Sequence, residues 1–145
     1  MSNPRREPYT GRCLCGQVSY AVDSFEPKVA HCHCSMCRKF HGAAFTTFAS
    51  VRREYFHWIS GESLLKGYRA ANGTVRKFCS NCGSSMVFVP VAGDGGRVEI
   101  ALGTLDSELD FAPDSHIFVG SKANWDVLCD ELPKYVADRG SERVD

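Results

Sequence analysis

His31-Cys32-His33-Cys34-Ser35-Met36-Cys37-Arg38-Lys39 is the stretch on which the reading of this chain turns. Three thiols and two imidazoles fall within seven consecutive positions, followed at once by two cations. A hydrophobic core has no use for His and Ser between its cysteines, and thiols at this density are either a redox hazard or metal ligands. The other cysteines favour ligands. Of the eight in the chain, seven fall into Cys13-x-Cys15, Cys32-x-Cys34-x-x-Cys37 and Cys79-x-x-Cys82, all chelating spacings, and only Cys129 stands apart. Zinc is the default metal for such thiolate sets.

The bulk composition bounds the rest. At 145 residues the chain fits one domain and can bury a core without disulfides. Its 43% apolar and 23% charged residues are those of an ordinary globular protein, and neither a membrane-length apolar run nor a signal-peptide pattern is visible. A cytoplasmic, reducing location is therefore expected, which argues against reading the even cysteine count as a disulfide framework. Lys+Arg and Asp+Glu both number 17, so no global field attracts a polyanion, and neither nucleic acid nor membrane is expected as a partner.

Outward from the cysteines, β signals dominate. Val18, Tyr20 and Val22 share one face at period two in a strand entered through the Cys13 loop, and strands are expected over 44–49, 55–59, 63–68, 74–78, 85–89, 97–102 and 116–119. Asn72-Gly73 and Gly93-Asp94-Gly95-Gly96 are turn signals between them. A short helical turn is expected from Ser35 to Phe40, ended by Gly42, and a short helix around Asp126 to Leu132, stopped by Pro133. The fold class is mainly β, an antiparallel β-sheet zinc-binding fold with two zinc sites and few short helices. Residues 1–10 read as a flexible N-terminal arm, 11–136 as the zinc domain and 137–145 as a C-terminal tail. Strand edges would permit a homodimer.

Seven sulfurs divide most simply into four and three. Cys13 and Cys15 with Cys79 and Cys82 make a closed structural site, and Gly16 and Gly83 follow the second cysteine of each pair, where a chain wrapping around sulfur benefits from positive φ. Cys32, Cys34 and Cys37 are left as three ligands on a second zinc with an open position, the arrangement of catalytic sites. Closure of that site by His31, His33, His41 or Cys129 is the alternative. Three thiolates make the metal a poor Lewis acid for ionising water, and a soft incoming ligand suits it better, so a small thiol becomes the leading substrate class. Glutathione carries two carboxylates for which Arg38, Lys39 or Lys122 are sensible partners. Packing is the favoured role for Ile117, Phe118 and Trp125, and a buried thiol for Cys129.

The sequence resembles the glutathione-dependent formaldehyde-activating family, which shares its domain with centromere protein V. The residues that carry the resemblance are Gly11-x-Cys13-x-Cys15-Gly16-x-Val18-x-Tyr20, His31-Cys32-His33-Cys34-Ser35-x-Cys37-Arg38-Lys39, Phe78-Cys79-x-x-Cys82-Gly83-Ser84, Gly103-x-Leu105-Asp106 and His116-Ile117-Phe118-Val119-x-Ser121-Lys122-Ala123-Asn124-Trp125. It implies the family's β fold, a structural zinc on Cys13, Cys15, Cys79 and Cys82, and a catalytic zinc on Cys32, Cys34 and Cys37. It also implies carbon–sulfur lyase chemistry joining glutathione and formaldehyde, with the thiol activated at the second zinc and His33 or His41 as proton donor. One departure is that the family's Ser-Lys-Ala-Pro-Trp has Asn124 in place of its proline, which removes a φ restraint. The competing reading is a non-enzymatic zinc-stapled interaction domain, whose sequence mark would be a basic or proline-rich tail.

Overall fold

A computed structural model describes residues 7–91 and 96–144. Among the described residues ten strands run in chain order: β1 (Tyr9–Arg12), β2 (Ser19–Val22), β3 (Val29–Cys32), β4 (Thr46–Arg52), β5 (Phe56–Ser60), β6 (Leu65–Arg69), β7 (Val75–Cys79), β8 (Ser85–Val89), β9 (Arg97–Ala101) and β10 (Ser115–Ile117), with one α-helix, α1 (Ser35–His41). The class is mainly β, as the alternation and turn residues require. The chain forms two compact units, one from the segment ending at Pro27 together with Ala49–Asp110, the other from Lys28–Phe48 together with the segment from Phe111 onward. Of the arm expected at 1–10, residues 1–6 lie outside the described residues, and Tyr9 and Thr10 stand in β1. The turn expected at Gly93-Asp94-Gly95-Gly96 falls largely outside them too, since only Gly96 is described.

In the first unit β1, β2 and β5 form a three-stranded antiparallel sheet. Val18, Tyr20 and Val22 are completely buried, as their period-two spacing anticipates. Tyr20 is the keystone of this face. Its ring stacks on Phe56 at 5.5 Å and meets Trp58 edge-on at 6.3 Å. Its hydroxyl lies 2.8 Å from Thr104 Oγ1, which donates to the Ala101 carbonyl at 2.8 Å, so Tyr20 is the donor in the pair. Burial pushes the Tyr20 phenol up to about 12, which keeps it neutral and donating. Gly11 pairs with Tyr20 across the strands, and a Cβ there would collide with the Tyr20 ring and the Thr104 carbonyl. Only glycine fits.

The second sheet of this unit runs β9, β8, β7, β6, each antiparallel to the next. Asn72-Gly73 makes the β6–β7 turn as expected. Gly73 is left-handed at φ 93° and donates to the Ala70 carbonyl at 2.9 Å, while Asn72 Oδ1 accepts from Thr74 N–H at 3.0 Å. Buried Arg76 lies opposite Phe88, with its guanidinium carbon 4.9 Å from the ring centroid, so a cation–π contact accommodates a cation on an inner face. Val51, Met86 and Ile100 are completely buried beside the Tyr20 cluster.

The second unit is smaller, and β10 pairs with β3 in parallel, His116 opposite His31 and Ile117 opposite Cys32. That is the one departure from an antiparallel ladder among the strand pairings described. Three corrections fall here. No helix forms over 126–132, because side chains take the groups a helix would use: Lys122 Nζ donates to the Ala123 and Asp126 carbonyls, Lys134 Nζ to those of Asp130 and Leu132, and Asp130 Oδ1 accepts from Leu132 N–H. Trp125 is 69% exposed rather than packed, and Cys129 is exposed rather than buried. Residues 133–144 are tied down along β10, with His116 donating to the Pro133 carbonyl and Phe118 to that of Ala137. Phe118 has φ 58°, a left-handed conformation held by that bond, and it turns the chain out of β10 into the turn that delivers Lys122.

Candidate metal centres

Two groups of sulfurs converge. In the first unit Cys13, Cys15, Cys79 and Cys82 bring their Sγ atoms within 4.8 Å of one another. Four sulfurs about 2.3 Å from a central zinc stand roughly 3.8 Å apart, and here Cys13 to Cys15 is 3.5 Å and Cys15 to Cys79 is 3.9 Å. A disulfide needs about 2.0 Å, and all eight cysteines are free thiols. The loops are built for sulfur. Gly16 and Gly83 both have φ 81°, as expected for a chain curling past its second cysteine, and their N–H groups return to the Cys13 and Cys79 carbonyls at 3.0 and 2.7 Å. Val18 N–H donates to Cys13 Sγ at 3.3 Å, and Ser84 Oγ lies 3.2 Å from Cys82 Sγ while accepting from Leu14 N–H. The Ser84 hydroxyl, then backbone N–H groups, pull the Cys82 thiol down to about 5, whereas burial holds Cys79 up at about 11. Such a set becomes four thiolates only around a cation.

In the second unit Cys32, Cys34 and Cys37 bring their sulfurs within the same 4.8 Å. Cys32 ends β3, Cys34 is the N-cap of α1, and buried Cys37 sits in its first turn. The cap is made by sulfur itself, since Cys34 Sγ accepts from Cys37 N–H at 3.2 Å. Gly42 ends the helix at φ 61°, donating to the Arg38 carbonyl. Hydrogen bonds that the Cys32 thiol donates toward Cys34 and Cys37, then burial, hold it far above the usual range. Three crowded thiols with this bias fit a divalent cation. Among the described residues no imidazole, carboxylate or Cys129 thiol joins this group, so the closed four-ligand alternative gains no donor.

The other candidates separate. Arg38 follows Cys37 on α1, and its Nε is buried without a hydrogen-bond partner. Lys39 is exposed in the last turn of the same helix. Lys122 is not a solvated charge: its ammonium donates to the Ala123 and Asp126 carbonyls at 3.1 and 2.6 Å. His41 packs edge-on against Phe40. His33 is completely buried, 2.8 Å from His116, which in turn lies 2.8 Å from Asp130. Sequence reasoning missed His116 and Asp130 because they are 83 and 97 positions from His33 and no local spacing joins them to it.

Comparison with known proteins agrees with these motifs. The family model described as glutathione-dependent formaldehyde-activating enzyme matches residues 8–121. An uncharacterized lyase of Schizosaccharomyces pombe is 30% identical over 80 residues, 55% of this chain and 56% of that protein, so the match spans little more than half of the relative. A crystal structure of a Rhodobacter sphaeroides protein superposes with a TM-score of 0.59 at 22% identity, covering 70% of this chain and 91% of the other, and shows the same fold. No helix among the described residues is long and apolar enough to cross a membrane.

Proposed function

This chain belongs to the glutathione-dependent formaldehyde-activating enzyme family, matched over residues 8–121, and from that premise we propose that it is a zinc-dependent carbon–sulfur lyase. Its substrates in this reading are a small thiol, glutathione first among them, and a small aldehyde such as formaldehyde, joined as an S-hydroxymethyl adduct. The observation that carries the reading is the inequality of the sulfur clusters, four donors in one and three in the other. Cys32, Cys34 and Cys37 would hold the zinc, which when bound would supply a soft electrophilic position able to make a thiol acidic.

The chain's own residues do the rest. Cys34 serves twice, as donor to the cluster and as the cap that fixes the first turn of α1 and with it Cys37. Arg38 is the candidate for a glutathione carboxylate, because its buried Nε, without a hydrogen-bond partner among the described residues, is suited to pairing with an acceptor on the ligand. Lys39, exposed on the same helix, adds long-range attraction. Lys122 acts through the loop it holds rather than by reaching outward.

Two rates test this. Zinc-loaded protein should equilibrate carbon-13 formaldehyde with its glutathione adduct faster than the uncatalysed mixture, followed by NMR; equal rates would end the lyase reading. Arg38→Gln should raise KM for glutathione about tenfold, the worth of a charge-assisted hydrogen bond, and leave KM for the uncharged thiol 2-mercaptoethanol unchanged. An equal rise for both thiols would remove Arg38 from carboxylate recognition.

A further inference from the structure

His33 is completely buried, yet its Nδ1 has no hydrogen-bond partner among the described residues, while its Nε2 lies 2.8 Å from His116 Nδ1. His116 is buried as well, with Nε2 2.8 Å from Asp130 Oδ2. Asp130 is fixed through its other oxygen, which accepts from Leu132 N–H at 3.0 Å and from the Lys134 ammonium at 3.4 Å. Hydrogen positions follow by elimination. A carboxylate only accepts, so the His116 nitrogen facing Asp130 carries hydrogen. The hydrogen bond from His116 holds Asp130 down at about 2, so it is ionised.

The His116 nitrogen that faces His33 is either protonated or bare. A protonated one would make His33 Nε2 the acceptor and leave a buried Nδ1–H on His33 with nothing to receive it. A bare one makes His33 Nε2–H the donor and leaves a lone pair on Nδ1. An orphaned buried N–H is the rarer and costlier outcome, so the lone pair is the arrangement the geometry selects. The surroundings match a ligand that donates. Asp126 Oδ2 is a second buried acceptor without a partner among the described residues, and Phe45 closes an apolar wall 4.9 Å from the His33 ring.

We propose that Asp130 and His116 are positioning residues that hold His33 as its Nε2–H tautomer, so that the Nδ1 lone pair accepts the hydroxyl hydrogen of a bound S-hydroxymethyl thiol adduct. The choice of ligand rests on the lyase reading; the tautomer does not. No bond is made or broken at His33 in this role.

Nitrogen-15 NMR of histidine-labelled, zinc-loaded protein reads the tautomer without reference to turnover. The expected spectrum has a bare, pyridine-like His33 Nδ1 and a protonated Nε2; a protonated Nδ1 overturns the proposal. Asp130→Asn leaves an oxygen for Leu132 and Lys134 and turns an amide N–H toward His116, which should invert both tautomers and lower kcat for the adduct about tenfold with KM for the thiol unchanged. Inversion with kcat unchanged removes the acceptor role. Wild-type protein with the expected tautomer but no adduct turnover overturns the choice of ligand and, separately, the lyase reading.

Discussion

Stripping the metal from Cys13, Cys15, Cys79 and Cys82 is expected to abolish cooperative folding of the first unit. The cluster joins loops whose cysteines, Cys15 and Cys79, are 64 residues apart, and it closes the ring inside which β2, β5, β6 and β7 are laid down. Structural zinc in small thiolate sites carries about 10 kcal/mol or more of apparent free energy, against a net stability of about 5–15 kcal/mol for a typical domain. Without the cation, Cys79 reverts to a buried thiol, and the loops past Gly16 and Gly83 lose what they wrap around. Chelation followed by near-UV circular dichroism and amide exchange should show Tyr20, Phe56 and Trp58 losing their fixed environment and β7 losing protection. Cys79→Ser should do the same at full zinc concentration. A chelated protein with an unchanged transition would mean that packing alone holds this unit.

Cys34→Ser is expected to behave in the opposite way, keeping the fold and losing the chemistry. Serine is among the best N-cap residues, so its hydroxyl can take the Cys37 N–H that Cys34 Sγ now accepts, and α1 should survive. What disappears is one soft donor of three, which removes the second metal at ordinary zinc concentrations and returns adduct formation to the spontaneous rate. Cys34→Ala loses the cap as well and should cost about 1 kcal/mol further. Bound zinc, the unfolding transition and the adduct rate measured on the same preparations separate these effects. A Ser variant that retains both metals and full rate would take Cys34 out of the site.

How much of this was legible in the sequence depended on the range of each interaction. The cysteine clusters announce themselves because neighbouring cysteines stand two or three positions apart, and the glycines after Cys15 and Cys82 signal the left-handed backbone that both adopt. Strands such as β8 and β9 were visible from turns and alternation. Pairing was not: the parallel match of β10 to β3 joins segments 85 residues apart at Ser115 and Ala30, and no local pattern encodes it. The helix expected over 126–132 failed because Lys122, Lys134 and Asp130 compete for its backbone groups, a contest that periodicity does not register. The Asp130, His116 and His33 chain belongs with these long-range features. His33 was a candidate for its neighbours in sequence, and its partners became visible only in the fold.

Zinc content combined with X-ray absorption at the zinc edge tests the division of sulfurs most directly. The account predicts two zinc ions per chain, one bound by four sulfurs and one by three sulfurs with a lighter atom completing its shell, the lighter atom giving way to a fourth sulfur when glutathione is added. A single zinc per chain, or a second ion whose sulfur count does not change with thiol, would contradict it.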